Sequence, residues 1–143
     1  DAAIGAMPFL GSAAYLLYQQ LRRPGGRRVA QALERARALP APRFLEALEA
    51  GFRKDGYGVE RTGGAADLEL TREGRITLVA CKRWKATRTG IEPIREFDAA
   101  TAERGVKRIY VAAGEVTANA RTFAEQRSIE LMGEEELGRL LAG

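Results

Sequence analysis

The chain has 143 residues, with 23 lysines and arginines against 19 aspartates and glutamates, for a net charge of +4. It contains no histidine and a single cysteine, Cys81. Those counts exclude Ser-His-Asp and Cys-His nucleophile systems, histidine-ligated metals and an internal disulfide, while the basic excess permits contact with nucleic acid or anionic lipid without requiring either.

From Ala2 to Tyr18 the chain carries no charge (AAIGAMPFLGSAAYLLY). Such a run lies near the ~17-residue minimum for a bilayer-crossing helix. Gly5 and Gly11 suit a membrane helix, Tyr15 and Tyr18 suit an interfacial belt, and Arg22, Arg23, Arg27 and Arg28 follow at once. By the positive-inside rule the C-terminal side is then cytoplasmic. Residues 1–21 are therefore expected as a transmembrane helix of an inner membrane, one span or the last of several. An apolar helix packed on the soluble domain or on a partner is the other reading. No basic residue precedes the run, so a signal peptide fits poorly. The chain opens on Asp1 rather than methionine, as a piece of a longer protein would.

Pro24-Gly25-Gly26 breaks the first helix. Val29 to Leu39 predicts an amphipathic helix with Val29, Leu33, Ala36 and Leu39 on one stripe. Residues 22–42 are read as a basic, helical linker that ends at Pro40-Ala41-Pro42, and residues 43–143 as a compact α/β domain. Within it, Phe44, Leu45, Leu48 and Phe52 keep helical spacing until Asp55-Gly56. Tyr57 to Thr62 predicts a short strand.

The next stretch, Gly63 to Trp84, carries the chemistry. Leu68 and Leu70 alternate with Asp67 and Glu69, Glu73-Gly74 marks a tight turn, and Ile76 to Lys82 is an apolar run rich in β-formers. Alternation puts Asp67 and Glu69 on one face and Ala80 and Lys82 on one face. If the strands pair, carboxylate and ammonium meet at one end of a hairpin. Hard cations such as Mg²⁺ take carboxylate oxygens, and a neighbouring lysine can stabilise charge on a phosphate, so the pattern suits a metal-dependent phosphodiesterase. A surface ion pair is the alternative. Cys81 beside Val79 reads as a buried structural thiol. Lys82, Arg83, Trp84, Lys85 and Arg88 form a basic cluster with one aromatic. It can track a phosphate backbone with Trp84 stacked on a base, or Trp84 can anchor the core.

Beyond Arg88-Thr89-Gly90, Glu92-Pro93 predicts a helix start, with Ile94, Phe97 and Thr101 on one side. Lys107 to Ala113 is an unalternating strand, as in a sheet covered on both faces. Thr117 caps a helix through Arg127, Ser128 to Met132 is a last strand, and Glu134 to Leu141 is a closing helix with acids in its first turn. The order is α-β-β-β-α-β-α-β-α.

That order, with the strings FLEALEAGFRKDGYGVE, GGAADLEL, ACKRW, IEPIREFDAA, KRIYVAAGEVTANARTFA and IELMGEEELGRLL, resembles the Mrr-like restriction endonucleases, a branch of the PD-(D/E)xK nuclease superfamily. The resemblance covers Arg43 to Leu141. It implies a restriction-endonuclease-like mixed sheet flanked by helices, and a Mg²⁺- or Mn²⁺-dependent DNA endonuclease; nucleases that cut both strands often work as dimers, so a homodimer is one partner to test. With the apolar run of residues 2–18, the domain is expected to be tethered to the membrane on its cytoplasmic side. Asp67 matches the family's metal-binding aspartate and Lys82 its catalytic lysine. The family's acid or amide position falls on Ala80, and a glutamate of its first helix falls on Leu45, with Glu46 one place on. Glu69 is the nearest second carboxylate, as metal ligand and catalytic residue, and Glu46, Glu92 and Glu96 are further compensating acids. With Ala80 and Leu45 in those positions, a nuclease fold that holds DNA without cutting it is the alternative function, and a tethered protein-interaction domain is a third.

Overall fold

The computed structural model describes residues 26–143. Helix α1 (Gly26–Arg37) and helix α2 (Ala41–Lys54) lead into strand β1 (Gly58–Arg61) and the hairpin β2 (Leu68–Arg72) and β3 (Arg75–Ala80). A two-residue strand β4 (Arg88–Thr89) precedes helix α3 (Ile91–Thr101) and a 3₁₀ turn at Ala102–Arg104. Strand β5 (Lys107–Val111), the short β6 (Glu115–Val116), helix α4 (Ala118–Gln126), strand β7 (Ile129–Met132) and helix α5 (Glu134–Ala142) complete the chain. Apart from the two short strands, the order is the one expected.

The main sheet runs β1-β2-β3-β5-β7, antiparallel across β1, β2 and β3 and parallel across β3, β5 and β7. Parallel neighbours need crossover connections, and α3 and α4 supply them. The hairpin turn uses positive φ at Glu73 (53°) and Gly74 (76°), the backbone that two-residue hairpins favour, so the turn pins the register at Arg72 opposite Arg75.

Alternation then sorts the side chains into two cores. Leu68, Leu70, Val79, Cys81, Ile109, Val111 and Met132 face one layer, with Leu33, Phe44, Leu48, Phe52, Leu137 and Leu140 of α1, α2 and α5. Leu78, Ala80, Tyr110, Ala112 and Ile129 face the other, with Ile94, Phe97, Ala120 and Ala124 of α3 and α4. Each fully buried Leu or Phe in these layers, such as Leu48, Leu78 or Phe97, contributes about 1.5–3 kcal/mol.

The segment read as a linker is not held apart from the domain. From Gly26 onward it is helix α1, and Leu33 and Ala36 are buried in the same core as α2 and α5. Gly138 of α5 lets Val29 come so close that any Cβ there would collide with it. An amphipathic helix beside a sheet face that needs covering docks rather than spans a gap. The expected transmembrane helix over residues 1–21, with Arg22 and Arg23, lies outside the described residues. No helix among the described residues is long and apolar enough to cross a membrane.

One charge network sits inside the second layer. Arg108 of β5 donates to Asp98 and, at 3.4 Å, to Thr101 of α3, while its other nitrogen donates to the Arg127 carbonyl at the end of α4. Arg108 and Asp98 are both buried, so this network ties strand to both crossover helices.

Candidate active site at the hairpin mouth

Asp67 sits one residue before β2, at the open end of the hairpin, and four hydrogen bonds fix it. Its N–H donates to the Val79 carbonyl (2.7 Å), and its own carbonyl accepts from the Thr62 N–H (3.0 Å). Its carboxylate accepts from the Cys81 N–H at Oδ2 (2.7 Å) and from the Lys82 ammonium at Oδ1 (2.9 Å). The Gly63-Gly64 turn is closed by the Thr62 hydroxyl, which donates to the Ala66 carbonyl. The register places Leu68 opposite Val79, so Asp67 faces Ala80. Asp67 is buried, whereas the Lys82 side chain is 57% exposed. The expected meeting of carboxylate and ammonium therefore occurs, with the carboxylate fixed and the ammonium at the surface.

The other candidates divide. Glu69 shares the Asp67 face as expected, but its carboxylate accepts from Arg104 (3.1 Å) in the 3₁₀ turn and is not directed to Asp67. Glu46 accepts from Arg43 (3.2 Å) and Glu92 from Arg95 (3.3 Å), both local pairs on exposed helix surfaces. Leu45 is partly buried against the first core. Glu96 is exposed on α3, and its charge reaches the same phenol hydroxyl as the charge of Asp67 does.

That hydroxyl belongs to Tyr110, which the sequence reading missed. Tyr110 of β5 is in register with Ala80 of β3 and is 4% exposed. Burial pushes its phenol above the ordinary range, the Arg83 guanidinium pulls it back, and Glu96, Asp67 and Cys81 push it up. Cys81 is buried as expected. Burial first, then the Asp67 charge, lift its thiol to about 12, which makes it inert at neutral pH.

Lys82, Arg83 and Lys85 are exposed on the loop that follows β3, and Arg88 is exposed at the start of β4. Trp84 between them is not available to a base. It is 5% exposed and stacks on Phe44 of α2, with centroids 4.1 Å apart and planes 7° off parallel. Trp84 is the anchor and the basic residues are what it holds out, with Lys85 Nζ 5.8 Å from its ring centroid. The loop is stitched to the chain beyond β5: Ala113 donates to the Trp84 carbonyl, Glu115 to Thr87 and Thr117 to Thr89, at 3.0, 2.9 and 3.0 Å. Gly114 permits this, since a Cβ there would run into the Ala86 and Thr87 carbonyls.

No group of three or more His, Cys, Asp or Glu side chains suited to a metal occurs among the described residues. Mg²⁺, however, is commonly held by one or two carboxylates together with substrate phosphates. The hard oxygens of Asp67 fit an ion shared with a phosphate and do not fit one caged by protein alone.

A family model described as restriction endonuclease, of the Mrr catalytic type, matches residues 36–141. A search of curated proteins gave no match. Among solved structures, a protein of unknown function, AF1548, superposes with a TM-score of 0.56 at 16% identity, over 66% of this chain and 62% of its own. The DNA modification-dependent restriction endonuclease AspBHI superposes with a TM-score of 0.52 at 13% identity, over 84% of this chain and 36% of its own. This chain thus spans about three fifths of the first structure and about a third of the second. At these identities the likeness is one of fold.

Proposed function

The chain belongs to the Mrr-type restriction endonuclease family, and from that premise we propose that it is a DNA endonuclease domain that hydrolyses a phosphodiester at the hairpin mouth. The observation that carries this reading is the Asp67–Lys82 pair: Asp67 is buried and bonded at both its backbone N–H and carbonyl, the Cys81 N–H holds one carboxylate oxygen, and the other holds a solvent-facing ammonium at 2.9 Å. A pair built only for stability has no need of so rigid an acceptor for so exposed a donor, because exposed pairs contribute about 0–1 kcal/mol.

In this reading the loop cations Arg83, Lys85 and Arg88 neutralise backbone phosphates and set the duplex against the mouth. Lys82 leaves Asp67 to stabilise charge on the scissile phosphate or to orient the attacking water. The Cys81 N–H keeps one carboxylate oxygen of Asp67 in place while the other is freed. Glu96 supplies the second carboxylate that Ala80 lacks. A Mg²⁺ or Mn²⁺ ion shared by Asp67, Glu96 and the phosphate would supply charge neutralisation and an acidified water. Glu69 holds Arg104 and takes no part in the chemistry. Cutting both strands calls for a second copy. The apolar run from Ala2 to Tyr18 leads us to propose a membrane tether with the domain in the cytoplasm, which fractionation of the full chain tests.

Cleavage of diverse duplexes with Mg²⁺ or Mn²⁺ is the direct test. Asp67→Ala and Lys82→Ala are each expected to abolish metal-dependent cutting, and unchanged cutting by both would remove the reading. A second reading, a domain that holds DNA without turnover, is favoured by one observation: Ala80 puts a methyl group opposite Asp67. It predicts binding that falls steeply with salt and ignores Mg²⁺.

A further inference from the structure

Ala80 sets only a methyl group opposite Asp67, and the strand register shows what stands next to it. In the parallel pairing of β3 with β5, Ala80 lies level with Tyr110, so both side chains point to the α3 layer. The Tyr110 ring is held there by Phe97 of α3, with centroids 5.9 Å apart and planes 53° from parallel. Leu78, Ala80, Ile94 and Ala112 complete the same apolar cluster. The ring is thus fixed by packing, and its hydroxyl lies within the fields of Arg83, Glu96 and Asp67. Among the described residues the buried side-chain oxygen left without a hydrogen-bond partner is the Thr89 hydroxyl, so the Tyr110 hydroxyl is not sealed in the core with its ring. On the same face, the register runs from Asp67 through Ala80 to Tyr110.

We infer that Tyr110 is a substrate-binding residue of this site: its hydroxyl donates to a phosphate oxygen of bound DNA, from beside the position that an acid or amide at 80 would fill. The inference rests on the DNA-acting reading above and deepens it. The register gives the residue its place, and the protonated phenol gives it the right chemistry. A tyrosine phenol is protonated at neutral pH, so the group is a donor, and a donor is what a phosphate oxygen needs. A carboxylate at position 80 would need a cation between itself and the phosphate, whereas a phenol does not. Tyr110 therefore gives this site a metal-independent contact to the backbone that a carboxylate in the same place would not give.

Fluorescence anisotropy of a labelled duplex, read with the full chain in EDTA, tests this with Tyr110→Phe, Lys82→Ala and the double change Ala80→Gln with Tyr110→Phe. Phenylalanine keeps the ring and its packing on Phe97 and removes the hydroxyl alone. A hydrogen bond to a charged group is worth enough that Tyr110→Phe is expected to weaken binding roughly 10-fold. The amide of Ala80→Gln, placed beside the lost hydroxyl, is expected to restore most of it. Thermal melting of Tyr110→Phe within a degree or two of wild type would show that the loss belongs to the site. Wild-type binding by Tyr110→Phe alongside weakened Lys82→Ala overturns the role of Tyr110 and leaves the DNA-acting reading standing. Equal binding by all three variants, or no duplex binding by the wild-type chain, removes both.

Discussion

Two carboxylate–cation pairs join the sheet to its surroundings, and they are built in opposite ways. Asp98 and Arg108 have side chains that are each 9% exposed, and the guanidinium is used up by Asp98, Thr101 and the Arg127 carbonyl. Asp67 and Lys82 pair a side chain that is 11% exposed with one that is 57% exposed. The first pair is buried, and each charge has further partners: the second Asp98 oxygen lies 3.6 Å from the Arg127 guanidinium. The second is half open: the acceptor is fixed by backbone and the donor can leave. Breaking a closed pair strands a charge in low dielectric, which is a stability effect. Breaking an open pair changes what the surface can offer a ligand and costs the fold little.

The sharpest way to break this comparison is at Arg108. Arg108→Ala leaves the buried Asp98 with only the longer 3.6 Å pairing to the exposed Arg127 and is expected to cost about 3–5 kcal/mol in urea unfolding. Replacing both partners together, Asp98→Leu with Arg108→Met, is expected to recover much of that loss, since it leaves no unpaired charge. A double variant as unstable as the single one would mean that the network is held by shape and not by charge.

Lys82→Ala is the matching change at the open pair. Cleavage is expected to fall about 10²–10³-fold, which corresponds to roughly 3–4 kcal/mol of transition-state stabilisation. The unfolding free energy is expected to move by less than about 1 kcal/mol. Equal destabilisation by Lys82→Ala and Arg108→Ala would erase the distinction between the two pairs.

Ala80→Glu probes the same mouth from the position the family uses. Directly opposite residues of an antiparallel pair have Cβ atoms about 4.5–5.5 Å apart, so the new carboxylate would stand beside Asp67. Calorimetric Mn²⁺ affinity of the free protein is expected to rise at least about tenfold, or ~1.4 kcal/mol, at a stability cost of about 1–3 kcal/mol for crowding Tyr110. Unchanged Mn²⁺ affinity would show that the mouth cannot bring two carboxylates onto one ion.

Both pairs also show which parts of the site a sequence discloses. Asp67 and Lys82 were legible because a hairpin is local: alternation, the Glu73-Gly74 turn and a period of two fix which side chains share a face. The same local rule put Glu69 on the correct face. It could not show that Arg104, 35 residues on, would take its carboxylate. Trp84 was open between base and core because its stacking partner Phe44 lies on a helix distant in sequence. Tyr110 was missed for a related reason. Its strand is buried on both faces and shows no alternation, and its register with Ala80 is set by a crossover through α3, which no local pattern encodes. The docking of α1 was missed because its stripe shows that the helix has an apolar face and not what covers it.

The smallest effect concerns the residue that joins the open pair to the core. Cys81 lends its N–H to Asp67, and its buried thiol is lifted from 9.0 to about 12 by burial first and then by the same carboxylate. In the unfolded chain the thiol ionises near its ordinary value, so above that pH the unfolded state gives up a proton that the folded state keeps. Stability is therefore whole below about pH 9 and falls as pH rises toward the folded value, by about 1 kcal/mol near pH 10. Urea unfolding at pH 8, 9 and 10 is expected to show that slope in the wild type and a flatter one in Cys81→Ala. An equal slope in both would assign the alkaline loss to other groups, Tyr110 first among them, whose phenol burial also raises. Either way the measurement separates two neighbours of Asp67: a thiol that is closed away like Arg108, and a phenol that is held like Lys82 for something outside the protein.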